Sequence, residues 1–320
     1  MTISNDYKNV AKRICAQIIG EKIQSIHPII GNGTVNQVYR VETNTSLFII
    51  RMNEAPNTLA IYEKEKWCME QAKRKGVPGP DVLAIGNMEQ VTYMVQTFIK
   101  GKNGKYSPWN KEMIWRKLGE YTKQIHSIPV NGFGEILFNP IHHTFAASTH
   151  EGFNGTWHGF IRYNINCLTE DDPLILFGVF SLEHTKIIKQ KFEGLLQLNF
   201  AFGLTHGDLS LKNTIVDKKG NVTLLDWGCA EVHIIPYWEL IQLLKSQVDI
   251  GAPNTEQMHA FLQGYGITAS DFQTMLPTLN TLLLLDACDK LRWAIDCKPE
   301  CIPSFAEYAK KIWQRHKNFR

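Results

Sequence analysis

One segment, Thr205 to Gly228, limits the folds open to this chain most strongly. It reads THGDLSLKNTIVDKKGNVTLLDWG, in which two apolar runs flank KKGN, a turn sequence that contains Gly and Asn. The segment therefore predicts a β-hairpin. Polar groups beside buried strands are costly unless they are hydrogen-bonded or functional. The candidate functional residues are accordingly the polar ones that border the apolar runs: His206, Asp208, Asn213 and Asp226.

The composition is that of an ordinary globular protein. Of the 320 residues, 44% are hydrophobic and 20% are charged, which excludes disordered and fibrous classes. The length allows two lobes that each bury a core. A formal net charge of +3, without a long basic run, argues against a nucleic-acid partner.

The chain shows no sign of a membrane or secreted protein. Its first 23 residues read as an amphipathic helix without the features of a signal peptide, and its longest apolar runs are too short to span a bilayer. The seven cysteines lack CxxC spacing, which favours free thiols in a reducing compartment. We therefore expect a cytoplasmic protein without a membrane partner.

The pattern of apolar residues changes near Gly101 from one typical of strands to one typical of helices. Before it, β-branched and aromatic runs at residues 24–30, 37–43 and 47–53, followed by two more around NMEQ, predict an antiparallel sheet. Residues 59–75 have helical spacing, and long helical patterns follow Gly101. These patterns predict an α+β fold with a β-rich lobe over residues 1–100 and a helical lobe, carrying the hairpin, over residues 101–320.

The polar residues of the hairpin suit phosphoryl transfer from ATP. That reaction needs a positioned nucleophile, a divalent metal with hard oxygen ligands, and a cover over the phosphates. Asp208 can orient a substrate hydroxyl and accept its proton, while Asn213 and Asp226 supply oxygen ligands from adjacent strand ends. Each residue alone is more often a turn or structural residue, and only the joint pattern favours function.

The motif HGDLSLKN followed by LLDWG resembles the catalytic and metal-binding segments of the aminoglycoside phosphotransferase family. This family is the small-molecule branch of the protein-kinase-like fold, so the resemblance implies a bilobal fold with a small antiparallel N-terminal lobe and a larger helical C-terminal lobe. It also implies Asp208 as catalytic base or positioner, His206 as a residue that braces the loop, and Asn213 and Asp226 as ligands of Mg²⁺.

Other segments agree with that family in order. GNGTVNQVYRV (31–41) is similar to its phosphate-covering loop, where glycines let backbone amides approach phosphates. Arg51 stands where the nucleotide-binding lysine usually lies; it keeps a cation for the phosphates but replaces a point charge with a fork. The resemblance implies binding of ATP, with GTP as a possible alternative, by residues of this loop and strand: Gly31, Gly33, Thr34, Asn36, Val38 and Arg51.

Four further segments also match. Glu65 is expected to pair with Arg51, with Glu63 as the alternative. YMVQTFIKG resembles the hinge between lobes, where backbone groups of Gln96 and Phe98 would hydrogen-bond the adenine edge. LGEYTKQIHSIPVNGFG (118–134) and PYWEL (236–240) are similar to family signatures without an assigned role.

The chain departs from protein kinases in two places. It reads His-Gly-Asp where they have His-Arg-Asp, and only seven residues separate DWG from PYWEL. The Arg that grips a phosphorylated activation loop is therefore missing, and the intervening segment is too short for such a loop. Both departures argue against regulation by loop phosphorylation and against a peptide substrate.

One helical stretch is a candidate for binding the phosphate acceptor. In LLLLDACDKLRWAIDCKPEC, three carboxylates and an indole recur at three- and four-residue steps, which places them on one helix face. Such a face would suit a polycationic sugar antibiotic. The alternative is a solvated face neutralised by neighbouring cations. The four residues are Asp286, Asp289, Trp293 and Asp296.

The leading hypothesis is an ATP- and Mg²⁺-dependent kinase that phosphorylates a hydroxyl of a small molecule, with an aminoglycoside-type antibiotic as the first candidate and antibiotic resistance as its role. A kinase of a small metabolite, such as an amino alcohol, a sugar or a sugar-amine adduct, is the alternative within that class. A pseudokinase that binds nucleotide without turnover is the alternative outside it. Both a monomer and a homodimer remain open.

Overall fold

The computed structural model describes residues 4–30, 36–147 and 154–318. The chain divides into two compact units, and each is a discontinuous stretch of sequence. The first unit comprises Met1–Trp109 and Ser210–Ala230, and the second comprises Asn110–Leu209 and Glu231–Arg320.

Strands predominate before Gly101 and helices after it, as the sequence predicts. The strands are β1 (Ile23–Pro28), β2 (Gln37–Thr43), β3 (Leu47–Asn53), β4 (Val82–Met88), β5 (Val91–Thr97), β6 (Lys102–Asn103), β7 (Asn131–Gly132), β8 (Ile136–Asn139), β9 (Thr144–Ala146), β10 (Thr214–Val216) and β11 (Val222–Leu224). The helices are α1 (Ser4–Ile18), α2 (Thr58–Arg74), α3 (Lys111–His126), α4 (Trp157–Asn166), α5 (Pro173–Leu176), α6 (Leu182–Leu195), α7 (Trp238–Ile250), α8 (Thr255–Tyr265), α9 (Ala269–Cys297) and α10 (Ile302–Asn318).

The first unit is built on a five-stranded antiparallel sheet in the order β1-β2-β3-β5-β4. The predicted strands 37–43 and 47–53 match β2 and β3, because alternating residues such as Tyr39 and Val41, or Ile50 and Met52, are buried on one face of each strand. Helix α1 packs Val10 and Ile14 against buried residues of the sheet, including Val41, Ile50 and Val95. Strands β1, β2 and β3 are therefore consecutive antiparallel neighbours in the predicted sheet, and β5 lies between β3 and β4.

The hairpin β10–β11 belongs to the first unit. Strand β10 pairs with β6, and the backbone N–H of Leu224 donates to the carbonyl of Pro78. These contacts join Ser210–Ala230 to the first unit, whereas a boundary at residue 100 assigns it to the second. The division of the chain into lobes at residue 100 stays a prediction.

The second unit is mainly helical, with a small sheet in the order β7-β9-β8. Helices α3 and α8 lie unusually close together because each presents a glycine to the other. A Cβ at Gly119 would lie 2.0 Å from the carbonyl oxygen of Phe261, and one at Gly264 would lie 1.9 Å from that of Arg116. Within the described residues, no helix combines the length and the apolar character that crossing a bilayer requires.

Candidate active site

Arg51 on β3 and Glu65 on α2 form a buried, two-pronged ion pair. Nη1 of Arg51 lies 2.5 Å from Oε2 of Glu65, and Nη2 lies 3.1 Å from Oε1. Their side chains are 12% and 1% exposed. Burial lowers the pKa of Arg51, but the Glu65 carboxylate outweighs this effect and holds the pKa above its ordinary value. The expected pairing partner is thus Glu65, and Glu63 is exposed on the same helix.

Asp226 and Asn213 lie at the open end of the hairpin. The N–H of Leu225 donates to the carbonyl of Asn213 at 2.8 Å, which holds the residues after β11 beside those before β10. Asp226 has a positive φ of 60°, a conformation that Asp tolerates better than most residues. Its side chain is 52% exposed, and its Oδ1 lies 3.8 Å from Nη2 of Arg51.

The oxygen atoms at the end of the hairpin fit Mg²⁺. This cation is usually held by one or two protein carboxylates, with the remaining positions filled by waters and substrate phosphates. Asp226 offers an accessible carboxylate and Asn213 an amide oxygen. The described part of the chain has no cluster of three or more His, Cys, Asp or Glu residues that could hold a metal alone.

The predicted phosphate-covering loop is only partly described. Gly31, Gly33 and Thr34 lie outside the described residues. Asn36 lies just before β2, and Val38 pairs across the sheet with Arg51. The residues on the described side of the loop are therefore next to the buried cation.

One backbone group of the predicted adenine-binding segment is already hydrogen-bonded within the sheet. The backbone N–H of Phe98 already donates to the carbonyl of Leu47 at 3.1 Å, so this donor cannot also bind a base. Gln96 lies inside the sheet, opposite Ile49 on β3 and Val82 on β4. Of the backbone groups that the hinge resemblance assigns to adenine, the N–H of Phe98 is thus engaged within the sheet, and the adenine contacts of Gln96 and Phe98 stay a prediction.

His206 and Asp208 lie in a buried turn of the second unit. His206 is fully buried, and its Nδ1 accepts a hydrogen bond of 3.4 Å from the backbone N–H of Asp208. The imidazole thereby fixes the backbone of the residue that carries the candidate carboxylate. This geometry is what a bracing role for His206 requires.

Glu239 anchors the same turn, which the sequence did not reveal. Its Oε1 accepts from the backbone N–H of His206 at 2.6 Å, and its Oε2 lies 2.7 Å from Nε2 of His126. Nδ1 of His126 lies 2.8 Å from the hydroxyl of Tyr265. Burial raises the pKa of Glu239, but His126 and the His206 N–H outweigh it, so the pKa lies below its ordinary value. His126 and Glu239 fall in the two family signatures whose role was unassigned.

Glu239→Gln is expected to lower kcat by about 10- to 100-fold, because it weakens charge-assisted hydrogen bonds that hold the turn. Because folding lowers the pKa of Glu239, its carboxylate stabilises the folded state at pH values above the ordinary pKa of 4.5. This contribution is lost as the pH falls through the pKa of the folded state. The free energy of unfolding should therefore fall less for the variant than for the parent as the pH is lowered. Steady-state kinetics and urea unfolding from pH 3 to pH 7 test both effects, with the exposed Glu256→Gln on α8 as control.

The candidate acceptor face is not a single exposed surface. Asp286 is only 1% exposed, and Oδ1 of Asp289 accepts from Nδ2 of Asn164 at 3.2 Å. Trp293 and Asp296 do reach the surface. The helical spacing places all four on one side of α9, but Asp286 is buried in the helix packing and Asp289, which is half-buried, is hydrogen-bonded to Asn164. Direct contact of Asp286 with a polycationic acceptor is therefore a prediction that the structure corrects.

The alternative hypothesis, a solvated face neutralised by neighbouring cations, does not describe Arg292. Arg292 is buried, and its guanidinium pairs with Asp172 at 2.5 Å and with Oδ1 of Asn164 at 2.6 Å. Asp172 also caps α5 by accepting from the N–H of Leu174. Arg292 thus fastens the loop before α5 to α9, and it is not a surface counter-ion of the carboxylates.

Asp286→Asn is expected to raise the free energy of unfolding by about 1 kcal/mol at pH 7, because a buried carboxylate oxygen without a hydrogen bond is costly. Burial raises the pKa of Asp286 above its ordinary value, so the gain should shrink as the pH falls toward 3.8. Urea unfolding measures this, with exposed Asp296→Asn as control. A loss of stability together with a raised acceptor KM would restore Asp286 as a binding residue.

The chain matches known proteins along most of its length. Residues 28–277 match the family model described as the phosphotransferase enzyme family. Over 106 residues the chain is 31% identical to a probable ketoamine kinase of Staphylococcus aureus (strain NCTC 8325 / PS 47), a match that covers 33% of each protein. The chain thus matches about a third of the length of that curated relative.

Solved structures share the fold at low identity. A ternary complex of aminoglycoside phosphotransferase APH(4)-Ia with AMP-PNP and hygromycin B has a TM-score of 0.63 at 16% identity, covering 95% of this chain and 97% of that one. A putative fructosamine-3-kinase from Haemophilus somnus 129PT has a TM-score of 0.57 at 12% identity, covering 96% of both chains. These likenesses confirm the predicted α+β, protein-kinase-like fold. Because the family model spans most of the sequence, the chain belongs to the phosphotransferase enzyme family.

Proposed function

We propose that the protein transfers the terminal phosphoryl group of ATP to a hydroxyl of a small molecule. The observation that carries this proposal is the buried pair of Arg51 and Glu65, with Asp226 at 3.8 Å from the same guanidinium. Arg51 is held by the buried carboxylate of Glu65 and lies near the exposed carboxylate of Asp226. This arrangement suits the binding of a phosphate chain together with a metal ion. An ion pair with a purely structural role would not need the additional, exposed carboxylate of Asp226.

Each residue has a distinct task in this proposal. Arg51 binds the nucleotide phosphates and Glu65 orients it, while Asn213 and Asp226 hold Mg²⁺. The metal would neutralise charge on the phosphate oxygens as the phosphoryl group moves. Asp208, five residues before Asn213 in the chain, orients the acceptor hydroxyl and takes its proton.

The reaction balances without a further reactant. The acceptor oxygen forms a bond to the terminal phosphorus, and the bond between that phosphorus and the bridging oxygen breaks. ADP leaves, and the hydroxyl proton passes to the Asp208 carboxylate. His206 and Glu239 hold the backbone of Asp208 throughout, since both bond to the turn that carries it.

Two acceptor classes are supported by different observations. An aminoglycoside-type antibiotic is our first candidate, because the fold is shared with an enzyme solved with hygromycin B. A ketoamine, which is a sugar-amine adduct, is favoured by the 31% identity to a probable ketoamine kinase. The burial of Asp286 removes part of the charge argument for a polycationic antibiotic, so the two classes must be compared directly.

The test is nucleotide consumption by the purified protein with Mg²⁺ across a panel of aminoglycosides, spectinomycin, macrolides, choline, amino sugars and ketoamines, with ATP and GTP as donors. Stimulation by one class, absent in Asp208→Asn, is the expected result and identifies the acceptor. ATP binding without turnover on any member would favour the pseudokinase. Absence of ATP and GTP binding would overturn the proposal.

We further propose a cytoplasmic location. None of the seven cysteines, all of which the structure describes, is part of a disulfide, in keeping with a reducing compartment. Four of them are intermediate or exposed, so disulfide formation would be open to them in an oxidising compartment. A monomer and a homodimer both remain compatible with the expected activity.

A further inference from the structure

A buried lysine, Lys64, lies beside Glu65 on α2. Its Nζ donates a hydrogen bond of 3.1 Å to the carbonyl oxygen of Gly228, in the segment after β11. Lys64 is 5% exposed, and its ammonium forms no ion pair with a carboxylate of the described residues. Burying an ammonium costs free energy that one hydrogen bond to a neutral carbonyl offsets only in part. A role in the candidate site explains such a lysine better than a contribution to stability does.

Gly228, which Lys64 holds, lies against two carboxylates of the candidate site. A Cβ at this glycine would lie 3.4 Å from Oε1 of Glu65 and 3.6 Å from Oδ1 of Asp226. The backbone of Gly228 therefore packs between the carboxylate that pairs with Arg51 and the one proposed to hold Mg²⁺. Because Asp226 is only two residues earlier in the chain, a shift of this backbone would displace its carboxylate.

The backbone conformation of Asp226 has to be held by its surroundings. Its positive φ of 60° is one that residues other than glycine adopt at a cost in free energy. On one side of Asp226, the N–H of Leu225 donates to the carbonyl of Asn213. On the other side, the segment is held by the bond from Lys64 to Gly228. The two bonds together fix the direction in which the Asp226 carboxylate points.

Helix α2 is thus bonded to both charged parts of the candidate site. Glu65 binds the guanidinium of Arg51, and the residue before it binds the segment that carries Asp226. All of these residues belong to the first unit. The helix thereby joins the position of the phosphate-binding cation to the position of the metal ligand.

We propose that Lys64 is a positioning residue that orients the Asp226 carboxylate for Mg²⁺ by holding the carbonyl of Gly228. The inference rests on the proposed function and adds to it a residue that acts through another group. Loss of the ammonium should weaken the part of ATP binding that depends on Mg²⁺. It should leave the contact of Arg51 with the phosphates in place.

Isothermal titration of the full chain with ATP, over a range of Mg²⁺ concentrations, tests this role. Lys64→Met removes the ammonium and keeps an unbranched side chain, whereas Lys64→Arg keeps a cationic donor. We expect the Mg²⁺ concentration for half-maximal enhancement of ATP binding to rise about 10-fold in Lys64→Met and about 3-fold in Lys64→Arg. Lys66→Met removes the same charge from an exposed position of α2 and should keep the parental Mg²⁺ response.

ATP affinity without Mg²⁺ distinguishes positioning from a general effect on the fold. It should stay within about twofold of the parent value in Lys64→Met, because the bond of Arg51 to Glu65 is kept. An equal loss of affinity with and without Mg²⁺ would overturn the positioning role. Urea unfolding verifies that each variant is folded, and Lys64→Gln, which keeps a shorter neutral donor, replaces Lys64→Met if that variant does not fold.

The double variant of Lys64→Met with Asp226→Asn gives a second test. A positioning residue has no further effect once the carboxylate that it orients is gone, so the double variant should bind ATP in Mg²⁺ as Asp226→Asn alone does. Additive losses would show that Lys64 acts elsewhere and would overturn the inference.

The results separate this inference from the proposed function. If the parent protein binds ATP and Lys64→Met keeps the parental Mg²⁺ response, the inference is overturned and the proposed function stands. If the parent binds ATP equally with and without Mg²⁺, the inference is overturned together with the metal role of Asp226. Failure of the parent to bind any nucleotide would overturn both the inference and the proposed function.

Discussion

Asp208→Asn is expected to lower kcat by about 100- to 10,000-fold while ATP affinity stays within about twofold of the parent value. The amide can no longer accept the hydroxyl proton, but it keeps the shape of the carboxylate. The backbone bonds from the turn to His206 and Glu239 do not involve the side chain of Asp208, so the turn should keep its structure. Single-turnover kinetics with saturating acceptor, together with titration of ATP, measures both quantities.

The control for this variant is Asp171→Asn, which makes the same change of charge at an exposed position of the second unit. It should leave kcat and ATP affinity unchanged. Turnover of Asp208→Asn at the parental rate would show that the proton goes elsewhere. A matched loss of ATP affinity and kcat would show instead that Asp208 supports nucleotide binding and not the acceptor.

Local patterns of sequence predicted the first sheet well. Strands β2 and β3 could be predicted to the residue, because their alternating apolar positions face one buried side and turn residues bound them. Helix α2 was predicted within one residue at each end. Glu65 was correctly preferred over Glu63, since only one of these neighbouring helix positions points inward. These features depend on periodicities that a single segment carries.

Features that depend on packing between distant segments could not be predicted in this way. Glu239 contacts His126 across 113 residues of sequence, and no local pattern shows that α7 and α3 bring them together. The helical spacing fixed the side of α9 on which Asp286 lies but could not show that this carboxylate is buried in the packing of the second unit. Likewise, no local pattern shows that the N–H of Phe98, a residue whose backbone is predicted to contact adenine, donates to the carbonyl of Leu47.

Asp226→Asn is expected to lower kcat by about 1,000-fold, because an amide is a much poorer ligand for Mg²⁺ than a carboxylate. Asn is the sharper choice than Ala, since it tolerates the positive φ of 60° at this position. Arg51 keeps its pairing with Glu65, so the buried cation should stay in place. Nucleotide binding measured over a range of Mg²⁺ concentrations should lose its dependence on the metal, and excess Mg²⁺ should restore little activity.

Asp217→Asn is the matched control, because Asp217 lies in the turn of the same hairpin and its oxygen accepts from the N–H groups of Lys219 and Asn221. The amide oxygen of Asn can accept both backbone bonds, and only the bond from Nδ2 of Asn221 to the second carboxylate oxygen is lost, so this variant should keep both the hairpin and the response to Mg²⁺. If both variants lost activity equally, the effect would come from the hairpin and not from the metal. If Asp226→Asn kept a parental response to Mg²⁺, the metal must be held without Asp226, and its carboxylate would serve only to balance the charge of Arg51.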